Sequence, residues 1–160
     1  HITHINCNTM NRVWVYQADR FLNDQETVLI QAELDAFIQS WTAHGSLLAG
    51  SATLKDNLFI ILQVDEQQAG VTGCSIDKSV LFLKTIGQKY AIDFFDRMKI
   101  SFKTQDGQVK LVSRATFESL LKTGEVNQDT IVFNNLIQQA EELDTAWQIP
   151  LRESWHSKVF

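Results

Sequence analysis

Arg12–Gln17 (Arg-Val-Trp-Val-Tyr-Gln) is dense in β-branched and aromatic side chains, which suit a pleated, half-buried surface, and predicts a first strand. Asn23 or Asp24 then offers an N-cap, after which Ile30, Leu34, Phe37, Ile38 and Trp41 recur at helical spacing. That stripe predicts an amphipathic helix to about Ala43, with Gly45 after His44 as its stop signal. Two extended runs follow, near Leu47–Leu54 and Leu58–Val64, with Lys55-Asp56-Asn57 between them as a hairpin turn. A second helix starting near Ser75 carries Ile76, Val80, Leu83, Ile86 and Tyr90 on one face. A fourth strand is expected over about Met98–Thr104. Asp106-Gly107 then favours a two-residue hairpin loop into a fifth strand. Ala115–Lys122 reads as a short helix closed by Gly124, and Thr130–Phe133 as a brief strand. Leu136, Ala140, Leu143 and Trp147 mark a last helix ended by Pro150.

Through residue 104 the order is β-α-β-β-α-β, the split pattern of a ferredoxin-like sheet with two helices on one face. The expected fold is therefore α+β: a ferredoxin-like core with a C-terminal hairpin-helix-strand-helix extension. In such a core the first helix ends at the edge where the second begins. His44–Gly45 and Gly70–Ser79 would then share one rim with the start of the first strand.

Composition supports one domain over residues 10–160. The 160 residues are 44% hydrophobic with ten Phe and four Trp, enough for a core, and one Pro and seven Gly leave no linker-like stretch. Residues 1–9 read as a leader or upstream remnant, because Met10 directly precedes the first strand. His1, His4 and Cys7 there share a three-residue spacing that suits soft metal ligands, but a mobile terminus explains it as well, and no metal is expected. A formal net charge of −5, with the basic residues scattered singly, argues against a nucleic-acid backbone as partner. Apolar runs such as Leu58–Leu62 are far too short to span a membrane, and the two cysteines fit a reducing compartment. Cytoplasmic location is the expectation.

The stretch Gly70-Val-Thr-Gly-Cys-Ser-Ile-Asp-Lys-Ser79 links a strand to a helix start, where free N–H groups and the helix dipole favour an anion. Gly73, Cys74, Ser75, Asp77 and Lys78 are the candidate ligand-binding residues. Lys78-Ser79 match the end of a phosphate-binding G-x-x-x-x-G-K-[ST] loop. Asp77 and Thr72 stand where its two glycines belong, and the match fails. Capping of the helix by Ser75 or Asp77 explains the stretch structurally. Cys74 at this helix start is the candidate nucleophile, with His44 as its base; helix capping is the bland role for His44, and burial that for Cys74. Asp65-Glu66 reads as a solvated strand end, and Asp93, Asp96 and Arg97 as a loop with a surface ion pair. Trp155 and Phe160 in the tail either fold back over the core or dock on a second copy, giving a homodimer.

Trp41-Thr-Ala-His-Gly45, Val64-Asp-Glu66 and Thr72-Gly-Cys-Ser-Ile-Asp77 resemble a small group of uncharacterised bacterial proteins, over roughly Met10 to Trp147. Some members carry the label "ABC transporter ATPase", which implies ATP binding in a transporter, although no activity is established for the group. Leu58–Leu62 followed by Val64-Asp65-Glu66 imitates a Walker B strand, but 160 residues are too few for a complete ATPase domain of that class.

The leading expectation is a binding or interaction domain, holding a small anion or metabolite at the second helix, with no cofactor. A thiol enzyme using Cys74 and His44 is the alternative, and an ATP-binding transporter component the third reading.

Overall fold

A computed structural model describes residues 11–67 and 69–160. The expectations for residues 1–9, including the spacing of His1, His4 and Cys7, lie outside the described residues.

The first sheet is built from β1 (Asn11–Gln17), β4 (Ala49–Lys55) and β5 (Phe59–Asp65), in the order β1-β5-β4 and antiparallel throughout. β5 is central, and Phe59, Ile60, Ile61, Leu62 and Val64 are all buried. A strand covered on both faces reads as a continuous apolar run rather than an alternation. Cross-strand pairing explains the two faces. Val13, Val15 and Gln17 stand opposite Gln63, Ile61 and Phe59, and Phe59 meets Phe133 and Trp147 at 4.7 and 5.1 Å between ring centroids. The opposite face, with Trp14 and Tyr16, receives the helices.

Helix α1 (Asp24–Ser40) crosses from β1 to β4 and buries Ile30 and Leu34. Asn23 caps it in a reciprocal box with Glu26. Arg20 holds both Glu26 oxygens, at 2.9 and 2.8 Å. Helix α2 (Gly73–Tyr90) buries Ser75, Ser79, Leu83, Ile86 and Gly87.

The second sheet has the order β7-β6-β8-β9, again antiparallel, from β6 (Lys99–Lys103), β7 (Val109–Ser113), β8 (Ile131–Phe133) and β9 (Gln148–Pro150). Helix α3 (Arg114–Thr123) packs Phe117 into a separate core with Ile100, Phe102, Val126, Val132 and Leu151. β8 serves both cores: Val132 enters this one and Phe133 the first.

The molecule is thus mixed α+β with antiparallel sheets, and its first three long strands follow the split β-α-β order. The strand order does not complete a ferredoxin-like sheet. A ferredoxin-like sheet would hold β6 together with β1, β4 and β5, whereas β6 pairs with β7 and β8 in the second sheet. The edge of β1 is taken by residues 138–140: the Val13 N–H donates to the Gln138 carbonyl and the Ala140 N–H to that of Asn11, both at 3.0 Å.

Three further boundaries differ from the sequence expectation. α1 stops at Ser40, and Thr42–Ala43 (β2) pairs with Ser46–Leu47 (β3) in a tight hairpin. His44 and Gly45 turn it with φ of 53° and 79°, so His44 sits in a hairpin turn rather than at a helix cap. The β6–β7 loop is longer than two residues: Gly107, at φ 85°, donates to the Thr104 carbonyl, and Thr104 N–H reaches Gln108. The last helix shrinks to α4 (Glu142–Thr145), because Gln148–Pro150 is drawn into β9 and Pro150, which needs no donor at its edge position, stands opposite Ile131.

Candidate functional site

The residues singled out in sequence gather at one end of the first sheet. The Trp41 indole donates to the Ser75 carbonyl at 2.8 Å in a buried contact, and the Lys78 ammonium reaches the Thr42 hydroxyl at 3.5 Å. Arg12 approaches Glu66 at 4.0 Å, and Trp14 meets Trp41 edge-on at 6.2 Å. The hairpin carrying His44 and the helix start carrying Cys74 are therefore neighbouring elements. His44 and Cys74 are both exposed, and among the described residues no hydrogen bond joins their side chains.

The start of α2 is occupied by the chain itself. Thr72, not Ser75 or Asp77, is the N-cap. Its hydroxyl accepts the Ser75 N–H at 3.2 Å, and the Ser75 hydroxyl accepts the Thr72 N–H at 2.7 Å. Just before the cap, the Glu66 carboxylate accepts the Val71 N–H at 2.8 Å. Asp77 and Lys78 are exposed on the first turns. A carboxylate beside the turn and a closed cap both oppose an incoming anion. Among the described residues no group of three or more His, Cys, Asp or Glu is placed to hold a metal ion, and no helix is long and apolar enough to cross a membrane.

A different place has the shape of a site. Between the two sheets lies a cleft of about 420 Å³, bounded by the end of β1, the 94–101 segment with β6, residues 133–136 and the tail. That volume falls within the range of small-molecule pockets. Its floor is polar and cross-linked. Gln17, 8% exposed, donates to the Lys99 carbonyl at 3.1 Å and accepts from the Ser101 hydroxyl and, at 3.3 Å, from the Asn135 amide. Asn135 in turn accepts the Trp147 indole N–H at 2.8 Å. These bonds tie the first sheet to the second.

The mouth is apolar. Met98, Leu136, Trp155 and Val159 are large hydrophobic residues left exposed, and all four line this cleft. Beside them stands His156, buried to 3% exposure and stacked on Trp155 with 3.9 Å between centroids. Its Nδ1 lies 2.6 Å from the Ser154 hydroxyl, which also accepts the His156 backbone N–H. A Ser154 hydroxyl that donates to Nδ1 leaves the hydrogen of the neutral ring on Nε2. Burial pushes the imidazole pKa down to about 4, so the ring is neutral at physiological pH. Nε2 has no protein partner among the described residues and is not sealed from solvent.

Sequence reasoning named Trp155 and Phe160 as tail anchors, and Phe160 does fold back onto Phe117 at 4.9 Å. It missed His156, Gln17 and Arg97 as parts of one site. The available signal was the concentration of aromatic and basic residues in two segments without helical or strand period, 94–99 and 155–160.

No protein-family model, no curated protein and no solved structure matches this chain.

Proposed function

We propose that this chain is a binding domain that takes a small, largely apolar organic molecule in the cleft between its two sheets. The observation that carries the reading is the coincidence of a pocket of about 420 Å³ with an exposed apolar mouth of Met98, Leu136, Trp155 and Val159. Scattered exposed hydrophobic residues are ordinary, whereas a ring of them around a concave, polar-floored pocket suits a ligand. The start of α2 is the less favoured place, since Glu66 and the Thr72–Ser75 pair already fill the role an anion would take. The same closure weighs against the ATP reading that the family label implies, and among the described residues the exposed thiol of Cys74 has no hydrogen-bonded base.

A thermal-shift screen across aromatic and alkyl compounds tests the reading. Bound ligand at a hundredfold its Kd adds about 2.7 kcal/mol of stability, a shift of several degrees. Leu136→Glu, a change at an exposed position of the mouth, should abolish that shift while leaving the unliganded melting temperature nearly unchanged. A screen in which no compound at millimolar concentration stabilises the protein would refute it.

A further inference from the structure

We infer that the molecule this cleft selects is a flat aromatic carboxylate, its rings against the aromatic wall and its carboxylate accepting from His156 Nε2–H, with Arg97 drawing the charge in at the mouth. This rests on the binding reading above and names its ligand class.

The wall decides the body of the ligand. Tyr16, Phe94, Phe95, Phe133, Trp155 and Phe160 all line the cleft. Tyr16 and Phe95 meet edge-on at 5.5 Å, and a planar guest can extend such edge and offset contacts along the wall. Aromatic pairs gain from offset or edge contacts beyond the area they bury.

Charge decides the head group. The chain as a whole carries a formal charge of −5, yet the cleft is lined by Arg97, Lys99 and Arg114 against the single carboxylate of Asp96. Two of these cations are committed. Lys99 donates to the Asp19 carbonyl at 2.7 Å, and Arg114 holds the Val159 carbonyl at 2.9 Å while lying 3.6 Å from Glu118. Asp96 is turned to its own loop, accepting the Met98 N–H at 2.7 Å. Arg97 is exposed and has no partner among the described residues. A free guanidinium on an acidic protein attracts a carboxylate and repels a cation.

His156 supplies direction. In the tautomer in which the Ser154 hydroxyl donates to Nδ1, the neutral imidazole presents one donor at Nε2 and no acceptor. A carboxylate satisfies that donor, whereas an ammonium head would leave it facing other donors.

Calorimetry on the intact chain at pH 7.5 with three matched probes tests this: 2-naphthoate, its neutral isostere 2-naphthamide, and 2-naphthylmethylammonium. The naphthoate is expected to bind about tenfold or more tighter than the amide, with the ammonium weakest. Arg97→Gln should weaken naphthoate several-fold and leave the amide unchanged. His156→Gln should narrow the preference further. Arg97 is exposed, so its variant carries the test even if the buried change impairs folding. Equal affinity for acid and amide, or an Arg97→Gln variant that keeps the full preference, would overturn the inference and leave the binding reading intact. Absence of binding by all three probes, while other compounds still stabilise the protein, would also overturn it alone. Silence from every compound would overturn both.

Discussion

The Trp41 indole N–H donates to the backbone carbonyl of Ser75 at 2.8 Å, joining the end of α1 to the first turn of α2 out of reach of water. Trp41 is 1% exposed and also meets Phe37 at 5.3 Å. Residues far apart in sequence are thereby locked into the same rim that carries Thr72 and Lys78. Trp41→Phe keeps most of the ring and removes the donor. It should cost about 1–2 kcal/mol, a fall of roughly 3–6 °C in Tm for a chain of this size. Urea unfolding of the two proteins measures it, and an unchanged midpoint would contradict the role given to the bond.

Gln17 and Ser101 make the corresponding link between the two sheets, as part of a floor that also engages Lys99 and Asn135. Gln17→Leu leaves the Lys99 carbonyl, the Ser101 hydroxyl and the Asn135 amide short of a partner, at a cost of roughly 2–3 kcal/mol. Because the pair is in direct contact, a double-mutant cycle with Ser101→Ala should show coupling of about 1–2 kcal/mol. Additive effects would mean that the two sheets are held together elsewhere.

Much of the first sheet was legible because its signals are local. The β-rich run Arg12–Gln17, the stripe Ile30–Leu34–Phe37–Ile38 and the apolar block ending at Val64 each specify their own element. The small β2–β3 hairpin was not, since Trp41 falls at helical spacing although it lies just past the helix as its C-cap. The place of β6 was hidden for a different reason. Its sequence fits a strand in either sheet, and the choice is made by residues 138–140 occupying the β1 edge, a competition between segments far apart in the chain. The spacing of Leu136, Ala140, Leu143 and Trp147 satisfied a helical template while most of that segment packs irregularly over β5. The cleft was the least legible feature. Its walls come from β1, the loop before β6, the turn after β8 and the tail, so its chemistry exists only once those pieces meet.

The end of α2 makes a two-sided prediction about backbone space. A Cβ at Gly87 would lie 2.4 Å from the Ile92 carbonyl oxygen, which is backbone and cannot swing aside. Gly87→Ala should therefore lower stability by about 1–3 kcal/mol, even though alanine favours a helix by roughly 1 kcal/mol. Four residues on, Ala91 closes the helix in the left-handed region at φ 56°, where a side chain is penalised. Ala91→Gly should raise stability by about 0.5–1 kcal/mol. Chemical denaturation of both variants checks the opposite signs, and a stabilising Gly87→Ala would show that the helix end can move away from Ile92.

His156 ties the cleft to pH. Its pKa falls from an ordinary 6.5 to about 4 in the fold because burial disfavours the charged ring. The unfolded chain consequently binds the proton more readily than the folded one between these values. The stabilisation from keeping the ring neutral is fully present above pH 6.5 and is lost as pH falls towards 4, on the order of 3 kcal/mol at most. Asp96, Arg97, Lys99 and Arg114 share the cleft with it. Stability measured at steps from pH 7.5 to 4 should fall more steeply for the parent protein than for His156→Gln, which has no ring to protonate. Carboxylates titrate at the lower end of this range in both proteins, so the difference between the two curves isolates the imidazole. Parallel curves would mean that His156 takes up its proton in the fold as easily as in the open chain, and that burial does not hold the ring neutral.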